Sequence, residues 1–324
     1  MKKILDIRNL SVSFSSRKGP IPAVRDLSFS VFEGEKLGIV GESGSGKSVC
    51  LKSLLQLFSS NNFPLIEGEI LYLGKNLLSF SEKQMQKIRG KEISMIFQDP
   101  MASLNPTKKI GQQIIEGFLQ HYPQKTKQEA KQYAIEILSL VGIADPEMRF
   151  SMYPHNLSGG LRQRVMIAIA LSCDPKIILA DEPTTALDVT TQAQVMSLLN
   201  DLQKKRKTTI ILVTHDLSVV SSFCDRVLVM YGGKIVESAP LEALFTSPQH
   251  PYTKMLLECS SFLSFDQVQK ISERPPSKVG CPFWRRCAES MHVCSHKGPS
   301  FSEFGEKHSS ACWLHDLRSR KELS

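Results

Sequence analysis

The sequence predicts an α/β protein: a mainly parallel sheet, an antiparallel β part, a helical insert and a small cysteine-containing C-terminal extension. Three observations carry this reading. Between residues 177 and 223 short apolar strands alternate with helical stretches, the pattern of βα units. Strand patterns crowd the first 40 residues, whereas helical patterns dominate the middle. After residue 259 the texture changes, with Ser, Pro, Lys and His replacing aliphatic side chains and Pro275 and Pro276 acting as a breaker.

Taken in order, residues 5–14 and 24–32 alternate or run apolar and read as strands; 36–40 is a short strand of buried type. A glycine-rich turn leads into a helix over 47–58. Helices follow over 109–121, 127–141 and 158–173. Then come a strand over 177–180, a helix over 191–205, a strand over 209–213 and a helix over 217–223. Strands 227–230 and 234–237 join through a hairpin turn at Tyr231, Gly232 and Gly233. The basic run from Lys204 to Lys207 reads as a solvated helix end. The domains are therefore expected at 1–259, with a helical subdomain at about 100–157, and at 260–324, a stretch too poor in aliphatic residues for a large core and in need of a staple.

The chain has 324 residues, of which 41% are hydrophobic and 22% charged, enough apolar material to exclude disorder throughout. Lys and Arg outnumber Asp and Glu by 40 to 32, a net charge of +8 that suits nucleic acid, an anionic membrane face or a nucleotide and singles out none. No stretch approaches the ~18 apolar residues that a spanning helix needs. Lys2 and Lys3 are followed by Asp6 and Arg8, which interrupt any apolar leader, so the chain is expected in the cytosol or held at a membrane by something else.

Gly41, Glu42, Ser43, Gly44, Ser45, Gly46, Lys47 and Ser48 match G-x-x-x-x-G-K-[ST] between a predicted strand and a predicted helix. Glycines let the backbone turn so that N–H groups face phosphate oxygens, and the helix offers its positive end to the same anion. Lys47 is placed to reach the β- and γ-phosphates and Ser48 to ligate Mg²⁺. Downstream, the apolar strand 177–180 ends in Asp181 and Glu182, which delivers two carboxylates to the carboxyl edge of the sheet. Asp181 suits Mg²⁺ and Glu182 suits polarisation of an attacking water. Ser158, Gly159 and Gly160, followed by Leu161, Arg162, Gln163 and Arg164, open a second anion-binding helix terminus. One triphosphate needs one cradle, so the second suggests a nucleotide held by another subunit.

With these motifs in order the chain resembles an ATP-binding-cassette ATPase over about residues 5–258. Gln98 resembles the family's Q-loop, Ala186, Leu187 and Asp188 its D-loop, and His215 its switch histidine. The stretches 98–106, 182–194 and 248–253 are similar to those of ATP-binding subunits of oligopeptide/dipeptide importers. Leu161 departs from the usual Gln or Met. The resemblance implies two such subunits closing over two ATP molecules, with Lys47, Ser48, Asp181 and Glu182 of one facing Ser158, Gly159, Gly160 and Asp188 of the other. It implies Glu182 as base, His215 bridging it to the γ-phosphate, Gln98 on Mg²⁺, and Phe14 stacked on adenine or else a core strand residue. It further implies two integral membrane permease subunits, a paralogous or identical second ATPase, an indirect extracytoplasmic solute-binding protein and a peripheral place on the cytoplasmic face of the cell membrane. Peptides are the expected solute, with nickel or another small solute as the alternative. A soluble nucleic-acid-handling cassette ATPase would carry a second cassette or long coiled coils. Neither is seen, so no nucleic-acid partner is expected. A non-hydrolysing sensor is disfavoured by the presence of both Glu182 and His215.

Cys281, Cys287, Cys294 and Cys312 crowd the extension and suggest thiolate ligands on one centre. An iron–sulfur cluster, zinc, or free packed thiols remain open; the resemblance favours a [4Fe–4S] cluster. His292, His296 and His308 read as exposed, and Cys50 as a small packed apolar residue.

Overall fold

The computed structural model describes residues 2–17, 19–59, 62–185, 187–262, 277 and 279–316; Ala186, Pro275 and Pro276 lie outside the described residues. In chain order the strands are β1 (Lys3–Phe14), β2 (Ile21–Phe32), β3 (Lys36–Val40), β4 (Leu65–Tyr72), β5 (Lys75–Asn76), β6 (Ile93–Ile96), β7 (Ile177–Asp181), β8 (Thr209–Thr214), β9 (Arg226–Tyr231), β10 (Lys234–Pro240), β11 (Ser302–Glu303) and β12 (Ser309–Ser310). The helices are α1 (Lys47–Leu54), α2 (Glu82–Ile88), α3 (Pro100–Ser103), α4 (Ile110–His121), α5 (Lys127–Leu140), α6 (Pro146–Phe150), α7 (Gly159–Leu171), α8 (Val189–Arg206), α9 (Leu217–Phe223), α10 (Leu241–Thr246), α11 (Pro251–Phe262) and α12 (His292–His296).

Two units interleave along the chain: Met1–Lys2, Phe32–Glu35 and Leu77–Leu212 form one, and Lys3–Val31, Lys36–Asn76 and Val213–Ser324 the other. In the first, β6 and β7 pair in parallel and β8 is hydrogen-bonded next to β7. Every residue of these three strands is buried, as continuous apolar runs in parallel sheets require. Helices α2 to α8 belong to this unit.

In the second unit β3 pairs in parallel with β9. β9 turns back antiparallel into β10 with Tyr231 opposite Lys234, so the hairpin sits where the glycine pair placed it. β10 continues the sheet to β12 and β11. A separate antiparallel sheet runs β2-β1-β4-β5, with a register shift between Arg8 and Ser11 where Asn9 takes φ 49°. The α/β class with a mainly parallel sheet, an antiparallel part and a helical stretch is the class the sequence predicts.

The element boundaries also bring corrections. The first helix stops at Leu54 instead of 58, because Gln56 turns into the left-handed region at φ 50°. The sequence pattern does not show β4 and β6 as strands: half of β4 is exposed, and β6 has only four residues. Lys204, Lys205 and Lys207 are exposed at the end of α8, the solvated helix end expected of them.

Candidate functional site: a phosphate loop, an acidic strand end and a second helix terminus

Buried β3 delivers the chain to Gly41, and α1 opens at Lys47. Two glycines are obligatory here. A Cβ on Gly41 (φ 156°) would lie 2.1 Å from the Met230 carbonyl oxygen, and one on Gly46 (φ 101°) 2.3 Å from that of Ala23. Gly46 caps α1 without a side-chain bond, so no side chain covers the positive end of the helix. Lys47 is 4% exposed and folds back over the loop, its Nζ donating to Gly41 O at 2.6 Å and Glu42 O at 2.9 Å. Ser45 is 4% exposed and its Oγ is buried with no hydrogen-bond partner. An orphaned hydroxyl, a buried ammonium and an uncapped helix start together fit a polyphosphate. Ser43 and Gly44 are exposed at the loop tip and Ser48 is half-buried in the first turn of the helix. The Cys50 thiol is fully buried, and burial pushes its pKa up to about 12; it packs as a small apolar group, as read.

The same unit holds Phe14 and His215. Phe14 is half-buried at the end of β1, its ring edge-on to Phe58 at 5.9 Å. His215 is half-buried between β8 and α9, whose start is capped by Asp216 accepting from Ser218 N at 2.8 Å.

In the first unit β7 ends at Asp181, 3% exposed. Glu182 follows at φ 46°, a left-handed conformation that costs about 1 kcal/mol or more for a residue with a Cβ and marks functional sites. Its Oε2 accepts from Gln98 Nε2 at 3.1 Å and from Thr185 Oγ1 at 2.9 Å. Gln98, just past β6, is thus brought onto the same carboxylate that the sequence singled out. Ser158 caps α7 with no side-chain bond, and Ser158 and Gly159 are exposed. Arg162 and Arg164 point elsewhere: Arg162 Nε donates to Pro154 O at 2.7 Å and Nη1 contacts Met101 Sδ, while Arg164 Nη1 donates to Val141 O at 2.7 Å. Leu161 and Gly160 are half-buried. Asp188 caps α8, accepting from Thr191 N at 2.9 Å and Thr191 Oγ1 at 2.7 Å; the Thr191 backbone bond, then its hydroxyl, holds the Asp188 carboxyl below its usual range.

In the extension Cys281, Cys294 and Cys312 are buried and Cys287 half-buried. All eight cysteines are free. Burial first, then the charges of the other three thiols, push Cys312 up to about 12. The four thiols therefore share a neighbourhood, yet among the described residues no three His, Cys, Asp or Glu side chains are arranged to hold one metal ion. His292 and His296 are exposed as read, but His308 is not. It is 5% exposed, and its Nε2 lies 2.9 Å from Glu237 Oε1. The reason is electrostatic: Glu237 is 0% exposed, and a buried carboxylate needs donors, which Gln249 N (2.8 Å), His250 N (2.9 Å) and His308 supply. Resemblance singles out the stretch 248–253 but not the contact that Tyr252 makes, its hydroxyl accepting from Glu42 N at 3.0 Å; Arg286, whose guanidinium pairs with Glu42, has no signal in the sequence. The two stand 210 and 244 residues from Glu42, so no local pattern signals either contact.

Among the described residues no helix is long and apolar enough to cross a membrane. Comparison with known proteins matches residues 24–185 to the ABC transporter family and residues 236–294 to the oligopeptide/dipeptide transporter C-terminal region. The chain is 46% identical over 324 residues to the dipeptide transport ATP-binding protein DppD of Bacillus subtilis (strain 168), covering 98% of this chain and 96% of that one. It is 44% identical over 316 residues to the oligopeptide transport ATP-binding protein OppD of Escherichia coli (strain K12), covering 96% and 93%. A solved dimeric structure of the ATP-binding cassette MJ0796, in a post-hydrolysis state with ADP and Pi, aligns at a TM-score of 0.66 and 30% identity over 73% of this chain and 98% of that one. The chain belongs to the ABC transporter family of ATP-binding cassettes and carries the C-terminal region of its oligopeptide/dipeptide transporters.

Proposed function

We propose that this chain is the ATP-hydrolysing subunit that powers import of peptides across the cytoplasmic membrane. The observation that carries the reading is the loop in which an uncapped helix start, the buried Lys47 ammonium and the unpartnered Ser45 hydroxyl converge. Peptide as the solute follows from the relatives' names, dipeptide and oligopeptide transport ATP-binding proteins, at near full length. Residues 1–259 serve as the cassette, 100–157 as the helical part that presses on two integral membrane permeases, and 260–324 as the extension. The chain sits peripherally on the cytoplasmic face, with an extracytoplasmic binding protein delivering solute.

The loop residues Gly41 to Ser48 hold the phosphates, and Phe14 offers its ring to the adenine. Ser48, Gln98 and Asp181 would hold Mg²⁺, which neutralises phosphate charge. Glu182, oriented by Gln98 and Thr185, takes a proton from the attacking water, and His215 supports the γ-phosphate. Ser158, Gly159, Gly160 and Asp188 act on the nucleotide of a second ATPase subunit. Closure follows from tighter ATP binding to the closed pair, and hydrolysis resets it. The four tail thiols, all of them free, are kept as the candidate site of a [4Fe–4S] cluster, with zinc as the alternative; no step of hydrolysis uses them.

Glu182→Gln tests the assignment. Turnover should fall at least ~100-fold while ATP binding persists and dimers accumulate on size exclusion. Equal rates in variant and wild type would remove Glu182 from its role. Iron with acid-labile sulfide in anaerobically purified protein would support the cluster, and stoichiometric zinc would assign the alternative.

A further inference from the structure

The extension reaches into the phosphate loop through one side chain. Arg286 lies on a turn between Cys281 and Cys287, held by Arg286 N donating to Phe283 O at 2.9 Å and Cys287 N to Trp284 O at 3.3 Å. Its side chain is 5% exposed and its guanidinium forks onto Glu42, Nη1 to Oε2 at 2.8 Å and Nη2 to Oε1 at 2.9 Å. Nη1 also donates to the Tyr231 hydroxyl at 3.1 Å. The guanidinium lies 5.5 Å from the Tyr231 ring centre and 5.7 Å from that of Phe283, so an aromatic wall sets its plane.

Glu42 is the second residue of the loop, and each of its polar groups is spoken for. Its carboxylate takes Arg286, its N–H donates to the Tyr252 hydroxyl at 3.0 Å, and its carbonyl accepts Lys47 Nζ at 2.9 Å. The orientation of the Glu42 peptide decides where Lys47 rests, and the Arg286 fork restrains that residue from the extension side. There is also a charge argument. An uncovered carboxylate on a loop built to receive an anion would repel it, and Arg286 removes that repulsion at a side chain only 23% exposed, where water screens little.

We propose that Arg286 is a positioning residue of the nucleotide site, through which the C-terminal extension neutralises Glu42 and holds the phosphate loop in its anion-accepting shape. The inference rests on reading residues 41–48 as the ATP site. It makes ATP affinity depend on the cysteine-flanked turn, because anything that shifts the segment between Cys281 and Cys287 shifts the fork.

The test is steady-state ATPase kinetics and ATP-analogue binding on the full-length chain, with thermal melting alongside. Arg286→Met should raise KM for ATP about tenfold, with kcat changed less than about twofold. Arg286→Lys, which keeps the charge and loses the fork, should fall between Met and wild type, and it carries the test if Arg286→Met does not fold. Adding Glu42→Gln to Arg286→Met removes the uncovered carboxylate and should recover most of the lost affinity. A mere fastener predicts no such rescue. Unchanged KM in Arg286→Met, or a double variant no tighter than Arg286→Met, overturns the proposal. Lys47→Ala separates the two levels. Wild-type ATP binding in Lys47→Ala overturns the site reading itself, whereas lost binding there beside unchanged KM in Arg286→Met overturns only the role of Arg286.

Discussion

The phosphate loop and the cysteine-bearing extension are both dense in chemistry, and they are built in opposite ways. The loop is one run from Gly41 to Ser48, closed on itself by Lys47 bonding the carbonyls of Gly41 and Glu42. The extension is fastened at long range: Arg25 Nη1 to Ser277 O across 252 residues, Glu237 to His308 across 71, and Glu42 to Arg286 across 244. A local device is fixed by backbone geometry and a helix start. A distant one exists only once both partners are folded, and each fastening costs the entropy of closing its loop. The loop should therefore fail by steric insult and the extension by loss of a partner.

The largest effect belongs to the loop. Gly41→Ala would place a Cβ 2.1 Å from the Met230 carbonyl oxygen, which must push β9 or the loop aside. ATP affinity should drop about a hundredfold, as a displacement near 1 Å at a reacting site does. Titration with a fluorescent ATP analogue reads it, and limited proteolysis should find the extension still protected. Second comes Glu237→Leu, which strands the donors of Gln249, His250 and His308 in a buried site. A loss of about 2.5 kcal/mol in urea unfolding is expected, with the extension released to protease. If Gly41→Ala also releases the extension, the two regions are one cooperative piece and the contrast is broken.

Third is the response to acid. Burial first, then the charges of His315 and Lys254, lowers the His250 pKa from 6.5 to about 3. The unfolded chain binds a proton at this residue below pH 6.5, while the folded chain stays neutral down to about 3. The unfolded state gains the proton, so stability falls as pH drops through that window, with a limiting slope of about 1.4 kcal/mol per pH unit. His250→Asn keeps an acceptor for Tyr252 N, now 3.0 Å from Nδ1, without titrating. Its stability between pH 7 and 5 should be flatter than wild type by urea titration. Parallel curves would place the acid sensitivity elsewhere.

These effects track what the sequence made legible. The turn-and-helix motif at Lys47, the strand ending at Asp181 and the hairpin at Gly232 and Gly233 could be read directly, because each is set by neighbours within a few residues. Gln98 was singled out by resemblance, but its bond to Glu182 spans 84 residues and only the fold supplies it. His308 was misread for the same reason. A histidine in a polar stretch reads as exposed until the buried Glu237 is seen to need it. The four cysteines showed their kind and not their arrangement: the spacing suggested a shared ion, and the described residues leave the thiols close without a ligand geometry. Arg286 carried no sequence signal: the motif marks Glu42 only as a loop residue, and Arg286 is an ordinary charged residue until packing brings the two together.

The smallest effect sharpens the comparison most. Trp313 is 5% exposed and its Nε1 donates to Lys297 O at 2.8 Å, a bond wholly inside the extension. Trp313→Phe removes one hydrogen bond and part of one ring, and should cost about 1 kcal/mol, the ordinary net worth of a single bond. Hydrogen exchange should show faster opening around Lys297, while KM for ATP stays at the wild-type value, because the damage lies off the path from Arg286 to Glu42. A rise in KM matching that of Arg286→Met would mean that any loosening of the extension reaches the loop. The extension would then act on the nucleotide site as a whole body, and the fork would be only its most visible point of contact.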